Sequence, residues 1–263
     1  RHGAVWYNEA EDSGGMAVGS VIVITSGKGG TGKTSLTGGV GASLALLGKQ
    51  VLCLDGDVGL RNLDITLGMT DAALMDFSDV MAGRCDLSRA AVPHPTVSGL
   101  HLLTAPLTLP GDFPGEAGFQ ALLQQAREAY DYVLIDSPAG LGPGFRLAVC
   151  GADRAIVVAV SDPSSLRDAQ RVVTQLSQLE TIHLVVNRVR PRLLRRQNTT
   201  IDDAMDTAGL PLLGLVPEDP KVVLAATEGR PLAQLGARRG AVRAYENIAR
   251  RLTGQPVALM GLR

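Results

Sequence analysis

Val21-Ile22-Val23-Ile24-Thr25-Ser26-Gly27-Lys28-Gly29-Gly30-Thr31-Gly32-Lys33-Thr34-Ser35 decides the architecture of this chain. The opening apolar run reads as a buried strand. The glycine-rich remainder matches G-x-x-x-x-G-K-[ST], and a helical stretch follows from about Gly32 to Gly48. Strand, glycine-rich turn and helix start, in that order, make a phosphate-binding P-loop. Glycines let the backbone wrap an anion with several N–H groups pointing inward. The helix beginning at Gly32 brings its positive dipole end to the same anion. Lys33 supplies a point charge to the β- and γ-phosphates, and Thr34 offers a hydroxyl to Mg²⁺. The loop residues expected at the nucleotide are Gly27, Lys28, Gly29, Gly30, Thr31, Gly32, Lys33, Thr34 and Ser35.

A P-loop does not need a lysine beside its first glycine, so Lys28 carries extra information. It reads either as a solvated surface lysine or as a second cation aimed at phosphate charge, in cis or from a partner subunit. The residues from Gly27 to Ser35 resemble the deviant Walker A motif of the MinD/ParA ATPases. In that family this lysine reaches across an ATP-sandwiched homodimer to the partner's nucleotide, and the resemblance implies the same for Lys28.

Gln50 to Asp55 is a second buried strand, and Asp55-Gly56-Asp57-Val58-Gly59-Leu60-Arg61-Asn62-Leu63-Asp64 follows at its end. Carboxylates at the carboxyl end of a parallel strand lie on the ligand side of the sheet. Asp55 and Asp57 can both turn toward Mg²⁺ and water there, or the segment is a polar loop closed by an Asx-turn. The segment is similar to that of the septum-placing branch of the family. By that resemblance Asp57 positions the attacking water, Asp55 supports the Mg²⁺ shell and Asn62 belongs to a nucleotide-sensitive switch. The Arg61-Asn62-Leu63-Asp64 run fits that branch better than plasmid-partitioning or flagellar-number ATPases.

Asp136 ends the apolar run Tyr132-Val133-Leu134-Ile135, as a Walker B aspartate does, and would hold the Mg²⁺ shell through water or Thr34. The competing reading is a strand-end aspartate capping the next helix. Ser137-Pro138-Ala139-Gly140 resembles the start of the family's second switch. Asn187-Arg188, closing the strand Ile182–Asn187, resembles the family's adenine contact, for which an Asn amide offers both donor and acceptor. Pro217, Glu218 and Asp219 resemble its second adenine-side loop. Asp168, in a Ser-Ser-x-Arg-Asp helix, is an interface candidate by the same resemblance. Arg188, Arg190, Arg192, Arg195 and Arg196 crowd one short run; such a run touches anionic lipid or DNA, or is a solvated face.

The remaining elements follow from periodicity. Ala72–Ala82 reads as an amphipathic helix with Leu74, Phe77, Val80 and Met81 on its core stripe. Leu100–Ala105 is a strand whose His101 is structural. Thr108–Gly115 is a Pro- and Gly-rich loop, Glu116–Ala129 a helix, and Arg154–Val160 a strand. A helix runs from the Ser161–Ser165 cap region to about Leu179, with Pro163 in its first turn. Leu212–Val216 is a short last strand. Val242, Tyr245, Ala249 and Leu252 form a core stripe, beside an i,i+4 pair of Glu246 and Arg250. The predicted fold is α/β: a doubly wound, mainly parallel sheet with helices on both faces. Residues 1–15 read as an appendage, 16–255 as one domain and 256–263 as a short tail.

Composition narrows the function. The chain has 263 residues, 45% of them hydrophobic but only 3% aromatic, so aliphatic side chains must fill the core. A net charge of -1 argues against a strongly basic nucleic-acid binder. Cys53, Cys85 and Cys150 form no C-x-x-C, which fits a reducing compartment and no disulfide scaffold or zinc site. No apolar run approaches the ~18 residues of a membrane span. Met16 is a candidate natural start. After Gly254, Val257, Leu259, Met260 and Leu262 are too few for a stable interfacial helix, so a membrane-binding tail is either removed or replaced by another anchor.

The expected activity is Mg²⁺-dependent ATP hydrolysis, with Lys28, Lys33, Asp57 and Asn62 as the catalytic set and Thr34, Asp55 and Asp136 around the metal. The family implies a cytoplasmic ATP-dependent homodimer, peripheral on the inner membrane face, with MinC-like and MinE-like partners and anionic lipid if a tail is present. The rivals are a DNA-partitioning or flagellar-number ATPase, a small-molecule kinase or ligase of the same fold, and a nitrogenase-iron-protein-like reductase, for which Cys85 and Cys150 are misplaced. No N-K-x-D tetrapeptide reads guanine.

Overall fold

The computed structural model describes residues 19–179, 181–197, 200–235 and 239–259. The expected appendage and the last four residues of the expected tail lie outside them. In chain order the elements begin with β1 (Ser20–Thr25), α1 (Lys33–Leu46) and β2 (Val51–Asp55). Next come α2 (Leu63–Leu67), α3 (Phe77–Met81), α4 (Leu87–Ala90), β3 (Val92–Pro93) and β4 (Leu100–Leu103). Then follow α5 (Gly115–Ala129), β5 (Tyr132–Asp136), α6 (Pro143–Val149), β6 (Arg154–Val160) and α7 (Pro163–Gln175). The chain continues through β7 (Thr181–Val189), α8 (Pro191–Gln197), α9 (Ile201–Ala208), β8 (Leu212–Pro217), α10 (Pro220–Thr227), a 3₁₀ turn (Leu232–Leu235) and α11 (Gly240–Leu252).

One eight-stranded sheet has the order β3-β4-β2-β5-β1-β6-β7-β8. Every pairing is parallel except the short antiparallel β3–β4 pair. The expected doubly wound, mainly parallel fold is therefore present. Alternating residues of the strands feed two cores, because successive side chains point to opposite faces. Val21, Val23, Leu52, Leu54, Val133 and Ile135 meet α3, α5, α6, α7 and α9. Ile22, Ile24, Val51, Cys53 and Leu134 meet α1, α2 and α11. Burial on both faces explains why these strands read as continuous apolar runs rather than alternating ones.

Register brings the chemistry to one edge of the sheet. Ile24 and Asp55 are both in register with Asp136, so the ends of β1, β2 and β5 lie level. The direction of winding reverses at β1, which has β5 on one side and β6 on the other. The P-loop thus leaves the sheet at the crevice where such folds bind ligands.

Two expectations about helices change. The stretch 72–82 is helical only from Phe77 to Met81, and Leu74 is 93% exposed. Asp76 stops the helix from extending backward: its carboxylate accepts from the Ser78 and Asp79 N–H groups and completes a capping box. The helix expected to reach Leu179 ends at Gln175. The arginine run, to which no element is assigned from sequence, carries the helix α8, whose Leu194 is buried in the core. The short α2, α4, α6 and α9 give weak periodic signals and are not resolved by apolar spacing alone.

Candidate nucleotide site

The turn between β1 and α1 is shaped for close approach to an anion. Gly30 and Gly32 have φ values of 76° and 91°, conformations that side chains rarely adopt. A Cβ at Gly29 or Gly30 would meet nothing within 4 Å, so their backbone faces open space. Gly32 is different, since a Cβ there would lie 2.3 Å from Asn187 Nδ2. Thr31 Oγ1 is buried without a hydrogen-bond partner in the loop. Gly32 caps α1 with no side-chain contribution, which leaves the N–H groups of the first turn for a ligand.

Beneath the loop sits a charged cluster. Lys33 is buried, and burial lowers its pKa against the opposing pull of Asp136 and Asp57. Asp136 is 2% exposed, and burial pushes its carboxyl up to about 7 despite a hydrogen bond from Thr34. Thr37 Oγ1 lies 3.5 Å from Asp136 Oδ1. Asp55 is pushed up to about 6 by burial, although the Asp57 and Leu63 N–H groups oppose the shift. Asp57 is also raised by desolvation, and Lys33 works against it. Two buried carboxylates against one buried ammonium leave the cluster short of positive charge, which a cation would supply.

Of the competing readings of its segment, Asp55 makes the Asx-type closure directly. Its Oδ1 accepts from the Asp57 N–H at 2.9 Å, an Asx-type closure, and its Oδ2 accepts from the Leu63 N–H at 3.1 Å. One carboxylate therefore ties both ends of the loop 57–63. Asn62 lies at the start of α2, is exposed, and makes no side-chain cap bond. Asp57 borders a cavity of about 420 Å³ walled by Val58, Phe113, Pro138 and Phe145. The two expected switch segments therefore share one cavity. Backbone bonds from Ser137 to Ile24 and from Gly56 to Asp136 fasten these segments to the strand ends.

Lys28 does not turn onto its own loop. Its Nζ donates to both carboxylate oxygens of Asp162, at 3.1 and 3.2 Å, and to Ser164 Oγ at 3.0 Å. Asp162 caps α7 by accepting from Ser165 N, and its pKa is lowered by the Ser164, Ser165 and Lys28 bonds acting against desolvation. The backbone of Asp168 on the same helix lies so close to Gly27 that a Cβ there would come 2.5 Å from Asp168 O. The sequence marks Asp162 and Ser164 only as cap candidates; nothing in their spacing from Lys28, 134 and 136 residues away, announces the contact.

The expected base-side residues form the neighbouring wall. Asn187 Nδ2 donates to Thr31 O at 2.8 Å, and its Oδ1 accepts from the Arg188 N–H at 2.9 Å. Arg188 has a φ of 51°, and Arg190 is paired bidentately with Glu218. Asp219 caps α10 at Lys221 N and also accepts from Ala241 N at 3.0 Å, joining two helix starts. Pro217 ends β8, in register with Val189. Lys28, Gly29, Gly30, Thr31, Asp162 and Arg188 border a cavity of about 330 Å³.

These residues fit a magnesium nucleotide. No group of three or more His, Cys, Asp or Glu among the described residues is arranged to hold a metal. Mg²⁺ does not need one, because it is commonly held by one or two carboxylates together with substrate phosphates and water. The donors Thr34, Asp55 and Asp136 are hard oxygens of that kind.

Comparison with known proteins agrees with this geometry. The family model described as the CobQ/CobB/MinD/ParA nucleotide binding domain matches residues 22–232. The septum site-determining protein MinD of Bacillus subtilis is 40% identical over 250 residues, covering 93% of each chain. The MinC:MinD cell division protein complex of Aquifex aeolicus contains a chain with a TM-score of 0.85 and 37% identity, covering 92% of this chain and 98% of that one. MinD of Pyrococcus horikoshii, solved with Mg-ADP, has a TM-score of 0.78 and 28% identity, covering 89% and 95%. This chain belongs to the septum-site-determining MinD proteins of the MinD/ParA family and is a P-loop ATPase.

Proposed function

We propose that the chain is an ATP-driven dimerisation switch in the placement of the bacterial division septum. The observation that carries this reading is Lys28. It sits beside the first glycine of the P-loop, yet its Nζ is bonded to Asp162 and Ser164 rather than to its own loop, which supports a role toward a second chain. Lys33, the N–H groups of the first turn of α1, and Lys28 from the partner neutralise phosphate charge. Thr34, Asp55 and Asp136 would hold Mg²⁺, which when bound offsets the charge on the transferring phosphoryl group. Asp57 orients the attacking water, and Asn62 follows the nucleotide state as part of the loop that Asp55 fastens. Asn187, Arg188 and the Pro217–Asp219 loop flank the base, the Asn187 amide keeping one free donor and one free acceptor position.

The ATP-state dimer binds a division inhibitor of the MinC kind, answers to a MinE-like regulator and lies against the inner face of the cell membrane. In support, a relative of known structure was solved as a MinC:MinD complex. No helix among the described residues is long and apolar enough to cross a membrane, so the membrane contact is peripheral in this reading. Sedimentation with anionic vesicles in ATP and in ADP tests it, alongside light scattering for the dimer. ATP-dependent dimers lost in Lys28→Ala are expected. Equal behaviour of the two proteins in ATP would sink the switch.

A further inference from the structure

On the outer side of the base wall, Arg190, Arg192, Arg195 and Arg196 line a second concavity of about 870 Å³, together with Leu193 and Glu218. It meets the nucleotide cavity at Arg190, Leu193 and Glu218 but shares no P-loop residue with it. We propose that this groove is a second anion site, separate from the P-loop, that takes a small ligand bearing several phosphate groups.

The charge balance of the groove is the first argument. Glu218 is its one carboxylate among the lining residues, and Arg190 already engages it through two hydrogen bonds. Arg192, Arg195 and Arg196 are exposed and make no ion pair or hydrogen bond among the described residues. Three permanently charged guanidinium groups therefore face one hollow without a counter-charge. Their spacing of i, i+3 and i+4 puts them along one side of α8, and buried Leu194 fixes the helix against the core. Planar forks of N–H donors match phosphate oxygens two at a time.

Size and surroundings select the kind of anion. The volume lies within the range of small-molecule sites. The basic surface is short along the chain, because α9 opens four residues after α8 with Asp202 and Asp203 in its first turn. A polymeric polyanion needs a longer stripe and gains nothing from the overall charge of -1. A membrane surface would need apolar side chains to insert, and Leu193, 38% exposed, is the one large aliphatic residue lining the groove that reaches solvent.

The test is equilibrium dialysis of radiolabelled inorganic tripolyphosphate against the full chain, with Mg²⁺ in excess and ADP saturating the P-loop. The expected result is one bound tripolyphosphate per chain. Binding should weaken at least about tenfold in R192A/R195A/R196A, since bidentate charge-assisted contacts are the strong ones. ADP occupancy should be unchanged in that variant, which also reports that it folds. Arg89→Ala, an exposed arginine elsewhere, should bind like the parent. Absence of bound tripolyphosphate, equal binding by the triple variant, or an equal loss in Arg89→Ala would overturn the proposal. So would retention by duplex DNA or anionic vesicles alone in parallel arms, which would reassign the groove to a polymer or a membrane.

Discussion

Lys28 and Asp162 are 134 residues apart and form an ion pair of 3.1 Å at the entrance to the P-loop. Both side chains remain partly solvated, at 35% and 45% exposure, so the pair itself contributes little to stability. Its consequence is positional: the lysine is parked on the start of α7. Lys28→Ala should retain ADP binding while ATP hydrolysis falls by about 100-fold or more, the scale of a lost charge-stabilising contact. Asp162→Ala should leave the melting temperature within a few degrees and change the nucleotide dependence of dimerisation. Turnover assays and light scattering read both; a Lys28→Ala enzyme with parental turnover would remove the lysine from the mechanism.

Asp57 should separate binding from chemistry. It is partly buried, borders the cavity between the two switch segments and makes no side-chain hydrogen bond to the P-loop among the described residues. Asp57→Ala is expected to bind ATP within about threefold of the parent and to hydrolyse it about 10²- to 10³-fold more slowly. Single-turnover measurements distinguish this from slow product release.

The raised carboxyl groups give the nucleotide-free protein a pH signature. Asp136 at about 7 and Asp55 at about 6 bind protons more tightly folded than unfolded. Their contribution opposes folding above pH 7 and is relieved as pH falls from about 7 toward 4, since the folded state takes up protons first. Without nucleotide and Mg²⁺, the melting temperature should therefore rise between pH 8 and pH 5. Asp136→Asn should be more stable than the parent at pH 8, by on the order of 3 kcal/mol, and show a flatter pH profile. A parent and variant with parallel profiles would contradict this origin. The same titration predicts that Mg²⁺-nucleotide affinity weakens below about pH 7.

Gly32→Ala should damage the loop more than Gly30→Ala. Both positions need positive φ, which costs an alanine about 1 kcal/mol. At Gly32 the new methyl would also collide with Asn187 Nδ2, which donates to Thr31 O, whereas Gly30 has open space. ADP affinity is expected to drop at least tenfold further for Gly32→Ala. Asn187→Ala combined with Gly32→Ala should recover part of that loss, and calorimetry on the four proteins gives the coupling.

Gly39→Ala tests the seam between α1 and α11. A methyl there would lie 2.2 Å from the ring of Tyr245, which is 1% exposed. Overpacking of this kind costs about 1–3 kcal/mol and should appear as a lower denaturant midpoint.

The sequence by itself determined the strand–loop–helix unit, the parallel sheet, and Lys33, Thr34, Asp55 and Asp136 as its polar equipment. These features are local. A buried parallel strand needs an unbroken apolar run, positive φ needs glycine, and a carboxylate ending such a run lies at the ligand edge. The resemblance carried by residues 27–35 and 55–64 supplied the family. Tertiary structure alone decided what these residues touch. It brought Asp162 to Lys28, laid Asn187 on Thr31, gave Asp55 both ends of one loop, and cut the helix at 72–82 back to Asp76. It also gathered four arginines around one hollow. Contacts between residues more than a hundred positions apart depend on strand order and register, and no local periodicity in the chain encodes those distances.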